Sequence, residues 1–172
     1  MKTVIYLTLF VVIFSSVQER IYSNAKANVG ETAWARDVER QAKRNENILV
    51  KEGEWKCNLF VYEIILASGY DIGTKSINCI LHPILCMMGK TQRPPVCENW
   101  YNGEVSGFSF IGEGDEGKKN SKKGDIITNG SHIGIIAGDE KTISAAEDMI
   151  VENDWGYRGN EGNLKIFRFS EE

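Results

Sequence analysis

The chain contains 172 residues, which is enough for one domain with a hydrophobic core of its own. Its 20 basic and 24 acidic side chains give a formal net charge of −4, so electrostatics provide no reason to expect a nucleic acid partner. Four cysteines are too few for a mini-protein held together by disulfides. These quantities leave a small globular domain whose function must be sought in individual residues.

The N-terminus has the pattern of a secretory signal peptide. A lysine at the second position is followed by a nearly continuous apolar run over residues 3–14. A basic start and about 7–15 apolar residues are typical of such a signal, whereas a membrane-spanning helix needs about 20. We expect cleavage after Ser23, so that residues 1–23 are the signal and residues 24–172 form a single secreted, extracellular domain without membrane contact. An Ala-x-Ala match at residues 25–27 is a second candidate site.

Two helices are predicted in the first half of the mature chain. Apolar residues recur every four positions between Glu31 and Arg44, which predicts an amphipathic helix. Residues 58–68 are apolar almost all round and are followed by Gly69, so they predict a buried helix with a glycine stop. Residues 70–102 carry three of the four cysteines and all three prolines, which indicates an irregular segment.

The second half of the chain has the pattern of a sheet. Residues 112–124 are polar and glycine-rich, and we expect a surface loop there. Short β-like runs follow at residues 125–128, 133–137, 142–145 and 164–169, and residues 105–111 are a candidate for one more strand. Asn129-Gly130 and Gly138-Asp139 are hairpin signals. The predicted fold class is therefore α+β, with helices packed on one antiparallel sheet.

Two residues in this pattern are candidates for nucleophilic catalysis. Cys57 lies directly before the buried helix, where free backbone N–H groups and the helix dipole stabilise a thiolate. His132 opens the strand over 133–137, and Ser144 follows twelve residues later on the next strand. A cysteine beside an imidazole that is oriented by a third polar group is an activated nucleophile. A buried structural thiol and a hydrogen-bonded structural histidine are the alternative interpretations.

The motifs around these residues resemble a known superfamily. Lys-Cys-Asn-Leu-Phe-Val from Lys56, Gly-Asp-Ile-Ile from Gly124, Ser-His-Ile-Gly-Ile-Ile from Ser131 and Thr-Ile-Ser-Ala from Thr142 are similar to NlpC-type papain-like cysteine peptidases. The resemblance spans roughly residues 30–169 and is strongest to the second family of type VI secretion amidase effectors. With a signal peptide added, the chain also resembles the domesticated amidase effectors of ticks and mites.

This resemblance implies a papain-like NlpC-type fold and a secreted, antibacterial enzyme. Its expected partner is bacterial peptidoglycan, cut at the peptide crosslink between D-Ala and diaminopimelate. The resemblance implies that Cys57 is the nucleophile, His132 the general base and Ser144 the orienting residue, in a monomer that uses no metal or other cofactor. The superfamily more often has His, Asn or Asp at the third position, so a dyad or another acidic residue remains open, the candidates being Asp139, Glu147 and Asp148.

Three aromatic residues are candidates for the walls of a substrate groove. They are Trp55, Trp155 and Tyr157, and burial in the core is the alternative use of such side chains. A catalytically inactive module on the same fold, binding muropeptides through this groove, is the alternative to an enzyme.

The remaining cysteines admit two interpretations. In a secreted protein, Cys79, Cys86 and Cys97 would form one disulfide pair and leave one thiol over. Their spacing with His82 also fits a zinc site with three cysteines and one histidine. Asn129 begins a glycosylation sequon beside the candidate catalytic histidine, and we expect it to be unoccupied because a glycan there would obstruct a wall substrate.

Overall fold

The computed structural model describes residues 15–159 and 162–170, and within them the chain forms five helices and ten strands. The helices are α1 (Val17–Ala27), α2 (Cys57–Ala67), α3 (Pro83–Met87), α4 (Cys97–Tyr101) and α5 (Gly114–Asn120). The strands are β1 (Arg40–Ala42), β2 (Asn45–Val50), β3 (Lys75–Ser76), β4 (Gln92–Arg93), β5 (Phe108–Glu113), β6 (Ile126–Thr128), β7 (Ile133–Gly138), β8 (Lys141–Ala145), β9 (Ile150–Asn153) and β10 (Lys165–Phe169). The apolar run of the predicted signal peptide lies outside the described residues.

A six-stranded antiparallel sheet organises the second half of the chain. Its strand order is β5-β10-β6-β7-β8-β9, and β7 lies near the centre, where Ile135 pairs with Ile126 on one side and Ile143 on the other. The β7–β8 hairpin turns at Asp139 and Glu140, whose φ angles of 52° and 57° lie in the left-handed region expected of a two-residue turn. The predicted α+β class and the predicted strands are confirmed, while β9 was not predicted.

Helix α2 is the most buried helix of the fold. Leu59, Phe60, Val61 and Ile65 are each 0% exposed, and the helix contacts α1, β7 and β8. Helical geometry ends at Ser68, and the glycine after it adopts a φ of 90°, as predicted for a glycine stop. Because most of α2 is buried, its packing fixes the position of its first residue.

Helix α1 crosses the predicted cleavage point at Ser23. Ser16 and Glu19 form a capping box at its start, and Ile21 and Ala25 are completely buried against the core. Burial of one isoleucine contributes about 1.5–3 kcal/mol, so α1 contributes substantially to the core. Cleavage after Ser23 would divide this helix and remove its buried isoleucine.

The predicted helix between Glu31 and Arg44 is wrong. That region forms turns followed by β1, which pairs with β2 in a small antiparallel sheet. Trp34 is buried edge-on against Phe60, and the Arg40 guanidinium lies 3.9 Å from the Trp34 ring centroid while its Nη2 pairs with a buried glutamate of α2 at 2.6 Å. These tertiary contacts outweigh the local helical periodicity.

The predicted loop over residues 112–124 is also partly wrong, because it contains α5. A Cβ atom at Gly117 would lie 2.6 Å from the carbonyl oxygen of Gly112, so two glycines allow α5 to lie directly against β5. The polar, glycine-rich composition therefore reflects close backbone packing as well as surface exposure.

The segment between α2 and α4 is the least buried part of the fold. A disulfide joins Cys79 to Cys86, and α3 contains no buried residue. Ile80 is 88% exposed and Met87 is 87% exposed. Across the described part of the chain, no helix combines the length and the apolar character needed to cross a membrane.

Candidate active site

The candidate nucleophile is held rigidly at the start of the buried helix. Cys57 is the first residue of α2 and is 2% exposed. The preceding residue, Lys56, is equally buried, and its Nζ lies 3.2 to 3.5 Å from the carbonyl oxygens of Glu54, Arg36 and Lys51, to which it donates. Burial lowers the pKa of the Lys56 amine. This lysine therefore fastens the preceding loop to the start of the helix.

The candidate base is oriented from two sides. His132 Nε2 lies 3.1 Å from Ser144 Oγ, and the indole of Trp155 stands edge-on to the imidazole with ring centroids 4.5 Å apart. The His132 backbone is fixed too, because its carbonyl accepts from Thr128 Oγ1 at 2.8 Å and its N–H donates to Asn129 Oδ1 at 2.8 Å. With Nε2 engaged by the serine, Nδ1 is the ring nitrogen left for the thiol.

A glycine makes room for the orienting serine. A Cβ atom at Gly134 would lie 3.1 Å from the carbonyl oxygen of Ile143 and 3.2 Å from the Cβ of Ser144. The His-x-Gly sequence therefore places the imidazole at the start of β7 and leaves space beside it for a side chain of β8. The structure places His132 in hydrogen-bonding contact with both Cys57 and Ser144.

The electrostatic surroundings of Cys57 favour its thiolate. Its pKa is lowered from the ordinary 9.0 to about 5. The largest cause is a hydrogen bond from the Cys97 thiol, and hydrogen bonding and charge from His132 and a hydrogen bond from the Ile133 backbone N–H act in the same direction. Burial opposes them because it disfavours the charged form. Hydrogen bonding therefore outweighs desolvation at this sulfur.

Cys97 is a site residue that sequence reasoning missed. From the sequence, Cys97 was grouped with the candidate disulfide cysteines. In the structure it is a free, buried thiol whose Sγ lies 3.9 Å from the Sγ of Cys57. Its Sγ also lies 2.8 Å from the side-chain oxygen of Asn58, so the single thiol proton has two acceptors within reach. The hydrogen bond with Cys57 and burial raise the pKa of Cys97, so this thiol stays protonated and serves as a donor. The only signal in the sequence was the odd number of cysteines left after one disulfide.

The other two candidate disulfide cysteines form the bridge. Cys79 and Cys86 are bonded to each other, which resolves the pairing that the sequence left open. The alternative zinc set is not assembled, because two of its sulfurs form the disulfide and Cys97 lies beside Cys57. Among the described residues, no group of three or more potential ligands is placed to hold a metal ion. His82 precedes α3, where its carbonyl accepts from the Cys86 N–H at 3.2 Å.

The three candidate groove aromatics lie in different surroundings. Trp155 is 8% exposed and contacts the imidazole, as described. Trp55 is 53% exposed, with the Arg36 guanidinium 4.8 Å from its ring centroid. Tyr157 hydrogen-bonds Ser121 at 3.3 Å and lines a cavity that neither tryptophan lines.

A cavity of about 390 Å³ lies beside the start of α2, although Cys57, His132 and Ser144 are not among its lining residues. Its lining includes Trp55, Asn58 and Val96, which are sequence neighbours of the two sulfur-bearing residues, together with Leu85 and Arg93. The cavity therefore runs from the start of α2 toward the disulfide-closed segment.

The acidic candidates for the orienting role lie elsewhere. Asp139 is in the β7–β8 turn, while Glu147 and Asp148 line a separate cavity with Arg36. The Asn129 side chain, the sequon acceptor, accepts from backbone N–H groups of its own turn.

The aspartate of the Gly-Asp motif is a structural residue. Asp125 is completely buried and accepts from Arg168 Nε at 2.9 Å and Nη2 at 2.7 Å, and also from Gln18 of α1. A Cβ atom at the preceding Gly124 would lie 2.3 Å from the Gln18 carbonyl oxygen. The motif thus joins α1, β6 and β10 rather than taking part in the site.

The chain matches no protein-family model, no curated protein and no solved structure.

Proposed function

We propose that this protein is a Cys–His amidase that hydrolyses peptide crosslinks of bacterial peptidoglycan. The observation that carries the proposal is the low-pKa Cys57 thiol in hydrogen-bonding contact with His132, whose other ring nitrogen is held by Ser144. A thiolate, a base and an orienting group in this relation are the parts needed for nucleophilic attack on a carbonyl. The order of these residues on α2, β7 and β8 agrees with the papain-like NlpC arrangement that the sequence resembles.

Acylation begins as the Cys57 thiol, whose pKa is lowered, passes its proton to the His132 imidazole. The Cys57 thiolate attacks the carbonyl carbon of the scissile amide and forms a tetrahedral intermediate with a negatively charged oxygen. Helix α2 has no side-chain cap at its start, so backbone N–H groups of its first turn are available to donate to that oxygen.

Collapse of the intermediate requires a proton on the leaving nitrogen. The His132 imidazolium supplies this proton, the C–N bond breaks and the amine departs, leaving an acyl group on Cys57. His132 then takes a proton from water as the water attacks the thioester, and thiolate and carboxylic acid are released. Ser144 keeps the imidazole in one orientation during both proton transfers.

The adjoining cavity is the proposed binding place for the wall peptide. Its apolar lining at Trp55 and Leu85 suits alanine methyl groups and the methylene chain of diaminopimelate. Arg93 in the same lining is a cation that can pair with a peptide carboxylate. The apolar lining supports a peptide with aliphatic side chains, and Arg93 supports a carboxylate on it, while Glu54 adds one acidic group to the same lining.

Secretion is part of the proposal, and the structure bears on its processing site. Since Ile21 and Ala25 of α1 are buried, we place cleavage upstream of Val17 rather than after Ser23. N-terminal sequencing of the secreted protein should find a first residue no later than Val17. A chain that begins after Ser23 would contradict this placement.

The central experiment is digestion of purified diaminopimelate-type peptidoglycan, with the products separated by chromatography and identified by mass. The wild-type protein should convert crosslinked muropeptide dimers into monomers. Cys57→Ala and His132→Ala should each lose this activity. Ser109→Ala is a matched control, because it deletes an exposed hydroxyl that hydrogen-bonds Ser170 at 2.9 Å and lies on β5, outside the candidate site.

Each outcome separates the enzyme from its alternative. Conversion of dimers by wild type and Ser109→Ala alone supports the amidase. If Cys57→Ala or His132→Ala digests the wall as well as the wild type, the proposed mechanism is wrong. If the wild type binds muropeptides and releases no product, the protein is a binding module instead.

A further inference from the structure

We propose that Cys57 and Cys97 form a redox-active pair, which closes to an intramolecular disulfide on exposure to a low-molecular-weight disulfide such as oxidised glutathione. The two sulfur atoms lie 3.9 Å apart, in contact and without a bond. The pair carries out thiol–disulfide exchange. This reaction is chemically distinct from the amide hydrolysis proposed for the same Cys57 sulfur. Its existence rests on the geometry of the two thiols, and only its effect on activity rests on the proposed function.

The geometry allows the bond to form with a small movement. A disulfide has an S–S distance of about 2.0 Å, so the two sulfurs must approach by about 2 Å. Each cysteine is the first residue of its helix, with the chain entering from an irregular segment. Helix α4 has only five residues, so it can adjust more easily than α2, in which eight of eleven residues are buried. Rotation of the two side chains and a slight shift of α4 together supply the movement.

The two thiols differ in a way that suits exchange. Hydrogen bonds from Cys97 and His132 lower the pKa of Cys57, which makes it the attacking thiolate at neutral pH. The pKa of Cys97 is raised, first because of its hydrogen bond with Cys57 and then because of burial. Once Cys57 carries a glutathione its negative charge is gone, so the charge that opposed ionisation of Cys97 is removed as well.

The exchange balances in two steps. Cys57 thiolate attacks one sulfur of the oxidised glutathione, forming a mixed disulfide and expelling one glutathione thiolate, which takes a proton from water. Cys97 sulfur then attacks Cys57 Sγ, the Cys57–Cys97 bond forms, and the second glutathione leaves with the proton that Cys97 gave up. Two protein thiols are oxidised by two electrons, and one disulfide is reduced to two thiols.

Because the other two cysteines are bonded to each other, Cys57 and Cys97 are the thiols available for exchange. Cys79 and Cys86 are already bonded to each other, in an exposed segment. Closure of the Cys57–Cys97 bond would consume the proposed nucleophile, so the oxidised protein would be latent and reduction would restore activity. An oxidising compartment would then hold the enzyme inactive until a reductant reaches it.

The test measures thiols and activity on the same samples. The secreted protein, treated mildly with reductant and then freed of it, is incubated with oxidised glutathione, quenched in acid, alkylated and mapped by peptide mass spectrometry. We expect alkylation of Cys57 and Cys97 to disappear in parallel, a cross-linked peptide to appear, and dithiothreitol to reverse both changes. In Cys97→Ala, glutathione should remain on Cys57; in Cys57→Ala, modification of Cys97 should be at least about tenfold slower.

Several results would overturn the proposal. Wild-type protein that accumulates a stable glutathione adduct on Cys57 while Cys97 still alkylates would show that Cys97 does not resolve it. Full alkylation of both cysteines after oxidation, or pairing of Cys97 with Cys79 or Cys86, would also show that Cys57 and Cys97 do not form the proposed disulfide. Circular dichroism checks the fold of each variant, and Cys97→Ser replaces Cys97→Ala if the latter unfolds.

Peptide mass spectrometry tests the redox pair independently of the proposed amidase activity. A cross-linked peptide in a protein that never digests peptidoglycan would support the redox pair and reject the amidase. Digestion that is insensitive to oxidised glutathione, with both thiols intact, would support the amidase and reject the redox pair.

Discussion

The four cysteines form two pairs that differ in bonding and in surroundings. Cys79 and Cys86 are joined by a disulfide around α3, a helix in which no residue is buried. Cys57 and Cys97 are unbonded at 3.9 Å, 2% and 5% exposed, at the starts of α2 and α4. One pair holds an exposed segment that lacks apolar packing, and the other is held in place by the core.

This difference shows how one residue type serves structure in one place and chemistry in another. A covalent bond is useful where hydrophobic burial is insufficient, as in the segment containing α3. Where burial of α2 already fixes the backbone, the thiol is free to hydrogen-bond and to be tuned by Cys97 and His132. If this division of roles is correct, variants of the two pairs should differ in activity, in stability and in pH dependence.

Replacing a sulfur by oxygen should affect the two pairs very differently. We expect Cys57→Ser to lower peptidoglycan hydrolysis at least about 1000-fold, because a serine hydroxyl stays protonated where the cysteine is a thiolate. Cys86→Ser should leave the rate of the folded protein close to that of the wild type. Equal losses in the two variants, measured on purified muropeptide dimers, would contradict the division.

Removal of the bonded pair should act on stability. The double variant Cys79→Ser/Cys86→Ser should lower the free energy of unfolding by about 2 kcal/mol, since opening a short loop raises the entropy of the unfolded chain. Urea denaturation of the variant and the wild type in the same buffer measures this difference. An unchanged unfolding free energy would mean that the disulfide does not constrain the segment as proposed.

Hydrolysis by Cys57 should depend on the orientation of the His132 imidazole, whereas the disulfide between Cys79 and Cys86 has no such dependence. Ser144→Ala removes the 3.1 Å contact with His132 Nε2. Loss of one such hydrogen bond costs about 1 kcal/mol, so kcat should fall about fivefold with little change in KM. Ser109→Ala should show no change. A Ser144→Ala enzyme with the wild-type kcat would show that the serine plays no part in the mechanism.

The smallest effect concerns the pH at which Cys57 ionises. In the wild type, the rate of alkylation of Cys57 should be constant well above pH 5 and fall as the pH drops through about 5, because the thiolate becomes protonated. Cys97→Ala removes the largest cause of the lowered pKa, so this acid limb should move to higher pH. A pH profile of iodoacetamide reactivity, which needs no wall substrate, measures the shift. An unmoved limb would show that Cys97 does not tune the thiol.

Sequence patterns predicted the sheet and the buried helix but not the first part of the domain. Short β-like runs and hairpin turn signals located β6, β7, β8 and β10, because in these strands the local pattern agrees with the tertiary environment. Between Glu31 and Arg44 the two disagree. There Trp34 packs on Phe60 and Arg40 pairs with Glu63 at 2.6 Å, contacts between residues far apart in sequence that no local periodicity reports.

Local patterns in the amino-acid sequence indicate that a cysteine begins a buried helix, that a histidine begins a strand and that a serine lies on the strand after it. Helical and strand periodicity are local properties, so they place these residues on their elements. The folded structure is needed to show that Cys97, and not another cysteine, lies beside Cys57, and that α1 belongs to the core. Both depend on the packing of segments distant along the chain, because a thiol contact at 3.9 Å arises from the meeting of two helices rather than from either one.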